Sequence, residues 1–183
     1  LDAVPEPWAY TRFFRLLIRH ADLVDEMFDS LVEQLREVLP GFGRILAMDG
    51  KAIETAARQR KGLSEMADDG RRDVDANVGK KTYRGKREDG TVWEKIVKWF
   101  GYKLHLIVDA VYELPVAFEM TRASASEMPQ GRSLVKKLKV RHKKLVDDCE
   151  ALTADKGLDD TKLIMELWDD CGVRPVIDIR NTW

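Results

Sequence analysis

The sequence predicts an α/β fold in which a mixed β-sheet is flanked by helices and preceded by an N-terminal helical segment. Three short apolar runs, at 44–49, 151–155 and 173–179, are typical of strands that are covered on both faces. Helical periodicity at 126–144 and 161–171 precedes the second and third runs. Strands joined through helices pair in parallel, so these runs are predicted to form the parallel part of the sheet.

An antiparallel hairpin is predicted ahead of these crossovers. Residues 99–109 alternate between two sets of side chains, a Glu-Leu-Pro turn follows, and 116–121 form the returning strand. His105 lies in the middle of the first strand, where a scaffold role is favoured over that of a catalytic base. Asp109 ends the same strand and is a candidate to support a site at that edge of the sheet.

Composition indicates one domain, or one domain with a small appendage, in a chain of 183 residues. The formal net charge is -1, so any basic surface must be local. The two cysteines, Cys149 and Cys171, lack metal-binding spacing and are predicted to be reduced core residues. No apolar run approaches the roughly 20 residues of a membrane span, and no signal peptide is visible. We therefore expect a cytoplasmic protein with no membrane partner.

Residues 1–43 are predicted to form the N-terminal helical segment. Apolar side chains recur at three- and four-residue steps between 22 and 39, with Asp22 as the candidate N-cap and Pro40-Gly41 as the end. A shorter helix is predicted to begin at Thr11. The segment is either a packing element or part of an end-recognition or dimerisation element, which leaves a homodimer open.

Residues 58–98 stand out by composition. They contain twelve Lys or Arg against eight Asp or Glu and few aliphatic side chains, which predicts a long, partly irregular insertion. Residues 51–57, just before it, are predicted to begin a helix. Within the insertion, five basic side chains around one tyrosine are candidate contacts to DNA phosphates: Lys80, Lys81, Arg84, Lys86 and Arg87. A solvated surface loop is the alternative.

Asp49 and Asp155 occupy equivalent places, although they are far apart in the chain. Each ends a short apolar strand and is followed by a small polar turn. If the strands are neighbours, the two carboxylates converge, and a divalent cation would relieve their repulsion. Oxygen ligands favour Mg²⁺ or Mn²⁺, and two such ions can activate a nucleophile and stabilise the leaving oxygen of a phosphodiester. The alternative is that each Asp merely ends its strand in a common turn.

Several motifs, in order along the chain, carry a family resemblance. They are Met48-Asp-Gly-Lys51, the Gly101-Tyr-Lys-Leu-His105 strand, Ala154-Asp-Lys-Gly157, and Pro175-Val-Ile followed by Arg180-Asn181. Together they resemble the catalytic domain of bacterial insertion-sequence transposases of the DDE type.

The resemblance implies a ribonuclease H-like fold over 44–183, with Asp49 and Asp155 as the first two metal-binding acids and two Mg²⁺ or Mn²⁺ ions as cofactor. It implies double-stranded DNA as the partner, at transposon ends and at the target. The implied reaction is phosphodiester hydrolysis followed by strand transfer, on DNA in the bacterial cytoplasm. Arg180, just past the last strand, is a candidate for a DNA backbone contact near the site.

The family's third acid is a Glu on a helix after the last strand, and no residue up to Trp183 matches it. Glu166 precedes the final strand and is not assigned that role. We therefore expect the third acid beyond Trp183, and expect 44–183, as a partial catalytic domain, to be inactive alone. Two alternatives stay open: a catalytically inactive DNA-binding remnant, and a ribonuclease H-like nuclease that cuts DNA without joining it.

Overall fold

A computed structural model describes residues 4–57 and 73–179. The chain divides into two compact units, Leu1–Phe42 and Gly43–Trp183.

The first unit contains two helices, α1 (Pro7–Arg19) and α2 (Ala21–Val38). Helix α1 begins four residues before the predicted Thr11, because a proline at the first helical position has its backbone angle already set. The prediction of Asp22 as the N-cap of α2 is wrong, since His20 holds that position and Asp22 lies in the first turn. None of the described helices is long and apolar enough to cross a membrane.

The second unit is built on a six-stranded sheet. Its strands are β1 (Ile45–Glu54), β2 (Asn77–Lys86), β3 (Val92–Asp109), β4 (Pro115–Arg122), β5 (Ala151–Ala154) and β6 (Arg174–Ile177). The order is β2-β3-β1-β5-β6, with β4 also paired to β3. Strand β3 is antiparallel to β1, β2 and β4, whereas β5 is parallel to both β1 and β6. The predicted mixed sheet, with its hairpin and its crossovers, is confirmed.

Strand β1 is longer than predicted. It continues to Glu54, so the helix predicted to begin at 51–57 is wrong. The reason lies in β3, which pairs with β1 from Asp109 as far as Gly101 and supplies hydrogen-bond partners along the whole extension. Asp49 therefore lies in the middle of a strand rather than at its end.

The charged insertion is also more regular than predicted. Residues 77–98 form a long β2–β3 hairpin, while 58–72 lie outside the described residues. Val92, Trp93, Ile96 and Val97 favour strands because β-branched and aromatic side chains suit a pleated surface. The hairpin closes between 87 and 91, where Gly90 has a φ of +86°.

Helices pack on one face of this sheet. They are α3 (Glu127–Arg141), α4 (Lys143–Asp147) and α5 (Thr161–Met165), with a π-helical turn at Glu166–Asp170. Leu46, Leu134 and Leu167 are fully or almost fully buried in the core between them. Trp168, on the π-helical turn, is 60% exposed.

Asp109 is a structural anchor and not a neighbour of Asp49. It is completely buried. One of its oxygens, Oδ2, accepts from the Gly43 N–H at 2.7 Å, and Oδ1 accepts from the N–H groups of Val111 at 2.9 Å and Tyr112 at 2.7 Å. The prediction that it supports the acid-bearing edge is wrong: β3 is antiparallel to β1 and Asp109 pairs with Leu46, about 10 Å along the strand from Asp49.

Candidate active site

Asp49 and Asp155 are neighbours in the sheet. The parallel pairing of β1 with β5 runs from Ile45 opposite Ala151 to Met48 opposite Ala154. Asp49 is the next residue of β1, and Asp155 directly follows the end of β5, so their backbones lie roughly 5 Å apart if the spacing of the paired strands continues by one residue. Both are exposed. The sequence-based prediction that these two strands are adjacent therefore agrees with the register of the sheet.

Both acids line one open cleft with a cavity volume of about 810 Å³. Its lining includes three carboxylates and three cations: Asp49, Glu127, Asp155, Lys81, Arg84 and Lys156. A cleft that contains both carboxylates and cations suits a phosphodiester. The carboxylates can hold a divalent ion while the cations attract the phosphates.

The donor set fits a hard divalent cation. Mg²⁺ retains several waters and is bound through one or two carboxylates, which is what Asp49 and Asp155 provide. Oδ1 of Asp49 also accepts the Gly50 N–H at 2.7 Å, which restrains that carboxylate. Within residues 4–57 and 73–179, no three Asp, Glu, His or Cys side chains lie close enough to hold one ion together. The described part of the chain thus presents a pair of acids.

Sequence reasoning missed Glu127. It is the first residue of α3, and its Oε1 lies 3.2 Å from Nζ of Lys103, whose side chain is only 13% exposed. Cβ atoms built on Gly50 and Gly157 would lie 3.5 Å and 3.0 Å from the two oxygens of Glu127. Glu127 therefore lies beside Gly50, which follows Asp49 in β1, and beside Gly157, two residues after Asp155. No local signal marks it, because its place depends on how α3 packs on the sheet.

His105 is a buried scaffold residue near the cleft. It is 4% exposed, and its Nε2 lies 2.9 Å from Oγ1 of Thr121. Burial lowers the pKa of His105 below its ordinary value of 6.5; the positive charge of Lys103 lowers it further, and Glu127 and Glu119 oppose the shift.

The low pKa of His105 predicts a loss of stability in mild acid. Below pH 6.5 the unfolded chain takes up a proton that the folded His105 resists, so the free energy of unfolding decreases as the pH falls. We expect His105→Gln to reduce this slope between about pH 7 and about pH 5.5 in urea unfolding. An identical slope in both proteins would contradict the assignment.

The predicted DNA-contacting residues differ in whether they line the cleft. Lys81 and Arg84 line the cleft, whereas Lys80, Lys86 and Arg87 do not. Arg84 donates to Glu94 at 2.7 Å, which reduces its free positive charge. Arg180 lies outside the described residues. DNA contact by these side chains stays a prediction.

The fold and the cleft define a mixed α/β domain with paired carboxylates where the parallel pairing of two strands ends. The sequence matches the family described as "Transposase DDE domain" over residues 40–182. The chain belongs to this family, as its motifs predict. A comparison with curated proteins finds no match.

Among solved structures, the chain is similar to a piggyBac transposase in a synaptic complex with hairpin DNA. The identity is 14% and the TM-score is 0.38. The similarity covers 76% of this chain and 24% of that chain, so this chain spans about a quarter of that protein's length.

Proposed function

We propose that this chain is the catalytic domain of a bacterial insertion-sequence transposase. It would hydrolyse phosphodiester bonds at transposon ends with a divalent metal and then join the freed 3′ hydroxyl to target DNA. The observation that carries the proposal is the position of Asp49 and Asp155, side by side where parallel pairing of β1 and β5 ends. Membership in the family supports the same reaction.

Each group in the cleft has a part in this reaction. Asp49 and Asp155 would hold two Mg²⁺ or Mn²⁺ ions, and a bound ion would supply Lewis-acid activation of the attacking oxygen. Lys81 and Arg84 would hold DNA phosphates without reading base sequence. A third acid, expected after the last strand, would complete the set. Double-stranded DNA is the proposed partner.

Metal dependence tests this proposal. The substrate is the genomic DNA that flanks the coding sequence on both sides, where transposon ends would lie. In a version of the protein that carries the third acid, we expect 3′ hydroxyl ends at fixed positions with Mg²⁺ or Mn²⁺, and none with EDTA, because the carboxylates alone cannot activate an attacking oxygen.

The two alternatives give different results in the same experiment. A nuclease would cut the flanking DNA but would never join the products to a target plasmid. A DNA-binding remnant would shift the DNA in a gel without cutting it under any metal condition. Cleavage that persists in EDTA would reject the metal-dependent proposal.

A further inference from the structure

The β2–β3 hairpin has two chemically different faces. Side chains alternate along a strand, and directly paired residues share a face. Tyr83 pairs with Lys95, and Gly85 pairs with Trp93. With Lys81, these side chains form a surface that we call the aromatic face: Lys81, Tyr83, Trp93 and Lys95. Between residues 80 and 98, all of which the structure describes, the opposite face carries no aromatic side chain.

Trp93 lies against the backbone of its partner. A Cβ built on Gly85 would lie 2.6 Å from each of three atoms of the Trp93 ring, so the ring covers this glycine. Only glycine leaves room for such an approach. One side of the ring is thereby held against the strand. Trp93 is still 38% exposed, which leaves its other side open.

Tyr83 is the neighbouring ring on the aromatic face. It lies about 6.6 Å along β2 from Gly85, is 44% exposed, and lines the same cleft as the two acids. Nζ of Lys81 lies 5.6 Å from the centre of the Tyr83 ring. A cation therefore borders an open aromatic ring near the carboxylate pair.

We infer that the aromatic face binds an unpaired stretch of DNA, with bases stacked on Tyr83 and Trp93 and phosphates on Lys81 and Lys95. Open rings bordered by lysines suit single strands, because every base offers a face for stacking and the backbone offers charge. In a duplex those faces are covered by neighbouring bases. This inference rests on the proposed function, since the strand would be the one that enters the cleft for cleavage.

The test is a double-mutant cycle between Tyr83 and the DNA bases. Binding of the full chain to a labelled oligo(dT) of about 15 nucleotides is measured by fluorescence anisotropy in EDTA. We expect Tyr83→Ala to weaken binding about tenfold and Tyr83→Phe to leave it unchanged. Replacing the thymidines with abasic sites should weaken binding to the wild-type chain, but not to Tyr83→Ala.

Matched controls lie on the opposite face of the hairpin, outside the cleft. Val92→Ala, at an exposed position, should bind oligo(dT) as the wild-type chain does, and Lys80→Ala should bind more tightly than Lys81→Ala. The inference is overturned if Tyr83→Ala binds oligo(dT) as tightly as the wild-type chain does. It is also overturned if abasic sites weaken the binding of Tyr83→Ala as much as that of the wild-type chain, or if the chain binds only duplex DNA. Binding is measured in EDTA, whereas cleavage requires metal, so failure of cleavage and failure of this inference are separate results.

Discussion

In a version of the protein that carries the third acid, Asp49→Asn is expected to lower the rate of metal-dependent cleavage by roughly 100-fold or more, since it removes a ligand from the pair that would hold the ion. That factor corresponds to about 2.7 kcal/mol of activation free energy. The amide oxygen can still accept the Gly50 N–H that Asp49 accepts at 2.7 Å, so the strand should keep its geometry.

The same substitution should have the opposite effect on stability without metal. Asp49 and Asp155 are like charges on adjacent exposed positions, and removing one relieves a repulsion of about 1 kcal/mol or less. We therefore expect Asp49→Asn to melt at an equal or slightly higher temperature in EDTA. It should lose most of the additional stabilisation that Mn²⁺ gives the wild-type chain.

Asp147→Asn is a suitable control, because Asp147 makes an exposed ion pair with Lys143. It should cleave DNA and bind Mn²⁺ as the wild-type chain does. Unchanged Mn²⁺ affinity in Asp49→Asn, measured by calorimetry, would remove Asp49 from the proposed metal site whatever the cleavage assay shows.

Asp109→Ala is expected to lower the free energy of unfolding by roughly 3 kcal/mol or more. The substitution leaves the buried N–H group of Gly43 and the part-buried N–H groups of Val111 and Tyr112 without their acceptor, and an unsatisfied buried group costs about 1–3 kcal/mol. Asp109→Asn should cost less, because Oδ1 can still accept two of the three. The amide nitrogen of the new Asn side chain would face the Gly43 N–H, and because both groups are donors, that hydrogen bond would be lost.

Urea unfolding of the two Asp109 variants measures the effect, with Asp75→Ala as the comparison. Asp75 makes an exposed ion pair with Arg122 at 2.9 Å, and such pairs contribute about 1 kcal/mol or less. If Asp109→Ala costs no more than Asp75→Ala, the buried hydrogen bonds do not anchor the strand end as described.

The acid pair could be predicted because its signal is local and repeated. Asp49 and Asp155 each follow a short apolar run, and the ends of parallel strands meet at one edge of a sheet. Asp109 follows a similar run, and the same reasoning placed it at the wrong edge. The direction of a strand depends on its partner, which no local pattern records.

The hairpin and Glu127 could not be predicted for a different reason. In 77–98 the strand-forming residues are interleaved with lysines and glycines, so the composition resembles that of a loop. The glycines are explained only by their cross-strand partners, such as Trp93, whose ring covers Gly85. Glu127 reaches the cleft through the packing of α3 and its contact with Lys103. Both features are tertiary, and they form only once distant segments meet.

Strand β3 is one continuous strand of 18 residues that pairs with β2 at one end and with β1 at the other. Gly101, with a φ of +152°, lies where the two pairings meet. Side chains alternate without interruption along this strand. The number of residues between the hairpin and the acid-bearing sheet therefore determines which side of the hairpin faces the cleft. Adding or deleting one residue between 99 and 106 would reverse which side of the hairpin meets the cleft, whereas the turn at 87–91 can change length without this effect. A change in length at the base of the hairpin therefore also alters the sheet, and the two must be changed together, in evolution or by design.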